Sequence, residues 1–284
     1  MCGILGVSGG GLDLVKSANL LLEHRGPDDC GVFVDKLVEI GLGHTRLSIL
    51  DTSSYGHQPM SSKDGKVVLV FNGEIYNFRE LRKNLEENNC KFCGQSDTEV
   101  LLNLYLLEGV EMLSKLNGIF AFAIWDYKNQ SLFIARDGLG VKPLYYSENN
   151  ENFSFASEIK ALLHLTPKNQ ELDKEEINRY LSFLWCPGEG TPLKSVRKLL
   201  PGEAIIVKNG NIVKKWTWYQ LPIFTGISAN LDKNKSISGT IKYLRQAVHR
   251  QMIADVPVGA FLSGGLDSSS IVAFAREVNP DIRC

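Results

Sequence analysis

The sequence contains no apolar run long enough to span a bilayer. Its N-terminus lacks the basic and apolar stretches of a secretory signal. Together these absences predict a cytoplasmic protein. Neither sign of charge is in excess: 31 Lys and Arg stand against 32 Asp and Glu, for a net charge of −1. That balance argues against a general attraction to nucleic acid or to an anionic membrane, while leaving room for a local phosphate site. Cysteine is sparse. Cys2, Cys30, Cys90, Cys93, Cys186 and Cys284 are too dispersed to frame a disulfide scaffold. Cys90 and Cys93 form one CxxC pair, but zinc wants a second pair or nearby histidines, and none is obvious. Two ordinary cysteines near a helix end is the favoured reading. There is no internal repeat and no low-complexity tract.

What is present is a chain of 284 residues, 44% of them hydrophobic, enough to bury a core in one large or two medium domains. A helix is expected from Leu12 to Glu23. The β-branched run Val67–Phe71 predicts a strand, leading into Asn72-Gly73, a strong turn signal. Phe78–Glu87 has helical spacing. Ser96 and Glu99 make a capping-box pattern for a helix over Thr98–Leu116. Ile119–Trp125, Ser131–Ala135, Leu144–Tyr146 and Phe153–Ala156 read as strands separated by short polar turns, as in an antiparallel sheet. Strands and helices segregated in this way predict layers of helix over sheet. Residues 211–235 read as a linker. An amphipathic helix (Ser238–Met252), a buried strand (Val256–Leu262), a loop (Ser263-Gly264-Gly265) and a helix (Asp267–Glu277) then open a parallel α/β unit.

Two features carry chemistry. The first is Met1-Cys2-Gly3-Ile4. A small second residue permits removal of Met1, after which Cys2 carries both a thiol and a free α-amine. That amine titrates close to the thiol and can take its proton, leaving a strong nucleophile for an amide carbonyl without any histidine partner. His44 and His57 are therefore not needed as bases. The second is Ser263-Gly264-Gly265-Leu266-Asp267-Ser268-Ser269. Its glycines let backbone N–H groups approach a phosphate, the following helix offers its N-terminal donors, Ser263 and Ser268 can donate hydroxyls, and Asp267 suits magnesium. It is not a Walker A loop, because no GK[ST] follows.

The order and spacing of Cys2-Gly3-Ile4, Arg25-Gly26-Pro27-Asp28, His44-Thr45-Arg46-Leu47-Ser48-Ile49, Asn72-Gly73-Glu74-Ile75-Tyr76-Asn77 and Ser96-Asp97-Thr98-Glu99 resemble the class II (N-terminal nucleophile) glutamine amidotransferases. Among them the chain is most similar to glutamine-dependent asparagine synthetases. Residues Ser263–Ser269 resemble the pyrophosphate loop of ATP pyrophosphatases. The resemblance implies an α+β Ntn-hydrolase sandwich (αββα) over 1–210, the linker, and over 236–284 the first part of a parallel-sheet, ATP-pyrophosphatase-like α/β domain.

The resemblance also implies roles. Cys2 attacks the glutamine side-chain amide, and Asn72 and Gly73 stabilise the oxyanion. Arg46 grips the α-carboxylate with its planar fork and Asp97 pairs with the α-ammonium. Leu50, through its backbone, and Glu74 lie beside the pocket. Leu262, Ser263, Gly264, Gly265, Asp267 and Ser268 bind ATP, with Asp267 on magnesium. Arg25–Asp28 and Arg136–Gly140 are implied structural loops, and Gly138 departs from the larger residue common in the family. The implied reaction is that of a ligase, asparagine synthase (glutamine-hydrolysing). Glutamine yields glutamate and ammonia without a cofactor, and the ammonia amidates an ATP-activated aspartate, with ATP and magnesium required by the complete enzyme. A parallel sheet needs further βα units, so the expectation is a chain holding the glutaminase half and only the opening of the synthetase domain. Two alternatives stand beside it: an amidotransferase of the same architecture acting on another carboxylate such as a sugar acid, and an inactive or regulatory truncated paralogue. The partners implied are the small molecules glutamine, aspartate and ATP. Assembly is left open, a homodimer being one option.

Overall fold

The computed structural model describes residues 1–149, 152–166, 170–223 and 232–284. The chain divides into two compact units, Met1–Gln220 and Leu221–Cys284. The first unit contains strands β1 (Gly3–Ser8), β2 (Asp29–Asp35), β3 (Ile40–Arg46), β4 (Met60–Ser61), β5 (Val67–Ile75), β6 (Gly118–Asp126), β7 (Ser131–Arg136), β8 (Tyr145–Asn149), β9 (Asn152–Ala156), β10 (Arg197–Lys198), β11 (Glu203–Lys208) and β12 (Asn211–Thr217). Its helices are α1 (Val15–Leu20), α2 (Phe78–Glu87), α3 (Asp97–Glu108), α4 (Ile159–Leu165) and α5 (Lys174–Phe183).

Two antiparallel six-stranded sheets form, in the orders β10-β8-β9-β1-β3-β2 and β12-β11-β7-β6-β5-β4. Successive side chains of a strand point to opposite faces, and β1 shows what that alternation does. Ile4 packs between the sheets with Leu42, Val70, Ala123 and Ile134. Leu5 and Val7 face the other way, against Val15 and Ala18 of α1 and Leu162 of α4. The first sheet is thus apolar on both faces, and α3 packs on β5 of the second. The result is the expected αββα sandwich, with the catalytic-end strand β1 at its centre.

Several expectations shift. Asn72 and Gly73 are no turn: they lie inside β5, which pairs with β6 over its whole length. Nine residues of ladder outweigh a two-residue preference. Residues 211–217 are not linker but β12, an edge strand paired with β11. Its polar sequence reflects exposure at an edge rather than loss of structure. The helix predicted over Leu12–Glu23 is α1 flanked by 3₁₀ turns, and that over Thr98–Leu116 becomes 3₁₀ after Gly109. The predicted linker's later part, residues 224–231, lies outside the described residues.

The second unit contains α6 (Lys233–Gln251) and α7 (Leu266–Val278). Arg245 Nε donates to Glu277 Oε2 at 2.9 Å, and its guanidinium sits over Phe274. Val248, Val272 and Ala275 are buried. The buried strand expected over Val256–Leu262 does not form. Among the described residues Gly259 makes only an isolated parallel bridge to Arg283, and Phe261 is fully exposed. A parallel strand is stabilised by neighbours on both sides, and this segment has one bridge. Among the described residues no helix is long and apolar enough to cross a membrane.

Candidate active site

Cys2 stands immediately before β1, at the edge of a cavity of about 130 Å³. The walls include Arg46, Leu47, Leu50, Asn72, Gly73, Glu74, Asp97 and Lys142. Every glutamine-site residue expected from the sequence is therefore brought together. The structure explains how each arrives.

Cys2 is fixed from two sides. Arg25 Nε donates to the Cys2 carbonyl at 2.8 Å, and the same guanidinium reaches Glu158 Oε1 at 2.9 Å. Gly26 lies so close to β3 that a Cβ would sit 2.5 Å from the Arg46 carbonyl carbon, and Asp28 accepts from Ser48 N–H at 2.8 Å. The Arg25–Asp28 loop thus locks β3 and its continuation against Cys2. The Leu47 N–H donates to Cys2 Sγ at 3.4 Å. Burial pushes the thiol pKa up, and that N–H opposes the rise.

Arg46 ends β3 and is 6% exposed, so it is no surface arginine. It donates to the carbonyls of Ser53 at 3.0 Å and Leu50 at 3.2 Å, and also to that of Asp51. Gly56 makes room for it, since a Cβ there would strike the guanidinium. Three of its five donors hold the Leu50–Ser53 loop, leaving two for a carboxylate. The Leu50 carbonyl accepts one of these bonds, and Leu50 also lines the cavity.

On β5 the decisive feature is alternation. The Phe71 N–H is taken by Gln58 Oε1 at 2.7 Å, and the Ile75 N–H by Asp97 Oδ2 at 2.9 Å. Both point away from β6, so the Gly73 N–H between them points to the same edge, toward the cavity that Gly73 lines. A Cβ on Gly73 would meet the Ile119 carbonyl oxygen and lie 2.7 Å from Phe120 Cα. Asn72 is 1% exposed, and both its amide nitrogen and its amide oxygen are buried without a hydrogen-bond partner. Native interiors seldom tolerate such orphans. A ligand oxygen in the cavity would satisfy the nitrogen.

Asp97 is the first residue of α3. Ser96 caps this helix by accepting from Glu99 N–H at 3.2 Å. The Glu99 carboxylate does not close the box; it accepts from the N–H groups of Cys93 and Gly94 at 2.7 and 2.8 Å. Burial pushes Asp97 up to about 7, with Glu74 adding to the rise and the Ile75 N–H opposing it. Glu74 is also raised by burial. An ammonium group entering the site would relieve both acids.

The histidines stay out of the site. His44 is wholly buried, shares a hydrogen bond with the Phe71 carbonyl at 3.1 Å, and is held by burial at about 3. His57 pairs with Asp29 at 2.7 Å. Gly138, the departure from the family pattern, has the Tyr219 ring where a side chain would go. Sequence reasoning missed Lys142, Gln58 and Thr98, which also line the cavity. Gln58 and Thr98 join by a 3.3 Å hydrogen bond behind β5.

The second expected site lies wholly within the second unit. Ser263 Oγ and Ser268 Oγ are 3.0 Å apart, Gly264 has φ +80°, and Gly265 caps α7. Asp267 lies in the first turn. The loop is exposed, and no group of three or more metal-ligating side chains occurs among the described residues. A lone carboxylate beside free helix N–H groups suits a magnesium that arrives with nucleotide phosphates.

Comparison with known proteins supports this picture. Residues 1–219 match the family described as glutamine amidotransferase domain, and residues 240–284 match asparagine synthase. Asparagine synthetase [glutamine-hydrolyzing] 1 of Bacillus subtilis is 40% identical, over 100% of this chain and 45% of that protein. Putative asparagine synthetase [glutamine-hydrolyzing] 2 of Methanocaldococcus jannaschii is 38% identical, over 98% of this chain and 57% of that protein. The chain thus spans about half the length of these relatives. Among solved structures, the glutamine phosphoribosylpyrophosphate amidotransferase of B. subtilis shares the fold, with a TM-score of 0.59 at 20% identity, covering 97% of this chain and 64% of that one. Because the amidotransferase match runs through all twelve strands and the whole cavity around Cys2, the chain belongs to the glutamine amidotransferase domain family.

Proposed function

We propose that the first unit hydrolyses glutamine to glutamate and ammonia at Cys2. The observation that carries this reading is Asn72: a buried amide with both polar atoms unpartnered, on the wall of the cavity that Cys2 borders. In this reading Met1 is removed, and the α-amine of Cys2 takes the thiol proton. The thiolate attacks the substrate amide, whose oxygen receives the Asn72 amide N–H and the Gly73 backbone N–H. Ammonia leaves with the proton returned by the amine, and water releases glutamate from the thioester. Arg46 and Asp97 hold the α-carboxylate and α-ammonium, with Glu74 beside them. No cofactor is needed for these steps.

The second unit extends the reading. Leu262–Ser268 would bind the phosphates of ATP, with Asp267 on magnesium, and magnesium would supply charge neutralisation there. In this reading the ammonia then amidates an ATP-activated aspartate, and what supports it is that relatives are named asparagine synthetase [glutamine-hydrolyzing].

The test is glutamate release from glutamine by the full chain. Wild type is expected to release it, and Cys2→Ala to lose at least about a thousandfold in rate while still binding glutamine. Equal rates for the two proteins would reject the reading.

A further inference from the structure

Lys142 lies between β7 and β8 and enters the same cavity as Cys2, although nothing in the motifs marks it. Its backbone is clamped at both ends. Its N–H donates to Asp137 Oδ2 at 3.1 Å, and its carbonyl accepts from Arg136 Nε at 2.7 Å. The Asp137 carboxylate also collects the N–H groups of Phe120, Leu139 and Val141. A loop held this firmly fixes what it presents, and it presents a lysine that is 8% exposed as a residue and lines the cavity. Burying such a charge is costly unless opposite charge faces it.

The groups that face Cys2 come from every side of the cavity. They are the amine of Met1, present until that residue is removed, Arg46 from β3, Glu74 from β5, Asp97 from α3, and Lys142, while Arg25 and Asp28 from the loop after α1 act on the Met1 amine. Two of the cations are committed elsewhere: Arg25 to Glu158 and the Cys2 carbonyl, and Arg46 largely to its loop carbonyls. Asp97 opposes a thiolate at Cys2, and Glu74 is paired in charge with Lys142. We propose that Lys142 is a positioning residue for charge, whose ammonium offsets Glu74 and favours the Cys2 thiolate, and so sets the pH at which Cys2 becomes a nucleophile. The proposal rests on the reading of Cys2 as the glutaminase nucleophile. The electrostatics agree in both directions: Lys142 lowers the Cys2 pKa, while Glu74 and then Cys2 raise that of Lys142 against the effect of burial.

The experiment is the pH dependence of Cys2 alkylation by iodoacetamide in the full chain, read peptide by peptide in a mass spectrometer, with exposed Cys30 as internal reference. It needs no glutamine and no turnover, so it reads Lys142 even in a chain without glutaminase activity. Lys142→Met is expected to raise the Cys2 midpoint by about one pH unit. Lys142→Arg is expected to keep it near wild type, and Cys30 should not move. An unchanged midpoint in a folded Lys142→Met protein would overturn the proposal. So would an equal shift in Lys142→Arg, which would point to packing rather than charge. Should Lys142→Met fail to fold, Lys142→Gln decides: it removes the charge but keeps a polar end, it is expected to raise the Cys2 midpoint, and no shift or a fall would overturn the proposal.

Discussion

In the first unit the candidate site is built from buried polar groups: Asn72 at 1% exposure, Asp97 at 5% and Arg46 at 6%. In the second unit the phosphate-loop residues lie open, and Phe261 just before them is fully exposed. The contrast separates two ways of holding chemistry. The first site is organised before any substrate arrives, because two sheets and α3 force orphaned donors and a raised-pKa acid into one cavity. The second is a helix N-terminus behind flexible-type residues, supported by a two-helix core and a single β-bridge. Preorganised dipoles in a dry site need little rearrangement during reaction. An open loop relies on ligand charge to order it.

Substitutions can break this contrast. Asn72→Ala should show the largest effect after loss of Cys2. It removes an oxyanion donor and should lower the glutaminase kcat by about 10²–10³-fold with little change in KM. Ser263→Ala, in the other unit, should leave glutaminase kinetics within twofold, or roughly 0.4 kcal/mol. Steady-state glutamate release measures both.

Asp97 sharpens the contrast through pH. Its carboxyl sits at about 7 in the folded chain, against roughly 4 in an unfolded one. The folded state therefore holds the extra proton between those values, and stability falls as pH rises through that window. Asp97→Asn should abolish that fall, so thermal melts of the two proteins should diverge from pH 4 to about 7 and run parallel above it. Glutamine, whose ammonium favours the ionised acid, should show a KM that improves with pH up to about 7 in wild type and is flat and weaker in the variant.

Smaller effects test packing. Gly73→Ala places a methyl against the Ile119 carbonyl and Phe120, which should cost about 2–3 kcal/mol in chemical denaturation. Gly264→Ala meets no atom within 4 Å, and only its φ of +80° resists. About 1 kcal/mol is expected there. Equal costs at the two glycines would erase the distinction between a packed site and an open one.

How much of this was legible in the sequence depended on range. The residues that line the Cys2 cavity were readable because they fall in or beside the motifs that carry the family resemblance. Helix α2 was readable to the residue because its spacing is local. Asn72-Gly73 misled, because the turn preference of two residues says nothing about a nine-residue pairing with β6 across more than forty positions of chain. Val256–Leu262 misled for the opposite reason: an apolar run reads as a strand whether or not sheet neighbours are present. β12 was hidden by its edge position, which leaves it polar. Lys142 gave no signal at all. Its role arises from the Asp137 and Arg136 clamps, which only the folded loop brings together.

The most direct test of the central claim is covalent trapping by a glutamine analogue that carries an electrophilic carbon in place of the side-chain amide. The account predicts one adduct per chain, located on Cys2 by peptide mass spectrometry and slowed strongly by excess glutamine and by Asn72→Ala. Labelling that falls on Cys30, Cys93 or Cys284 instead, or that glutamine does not slow, would contradict it.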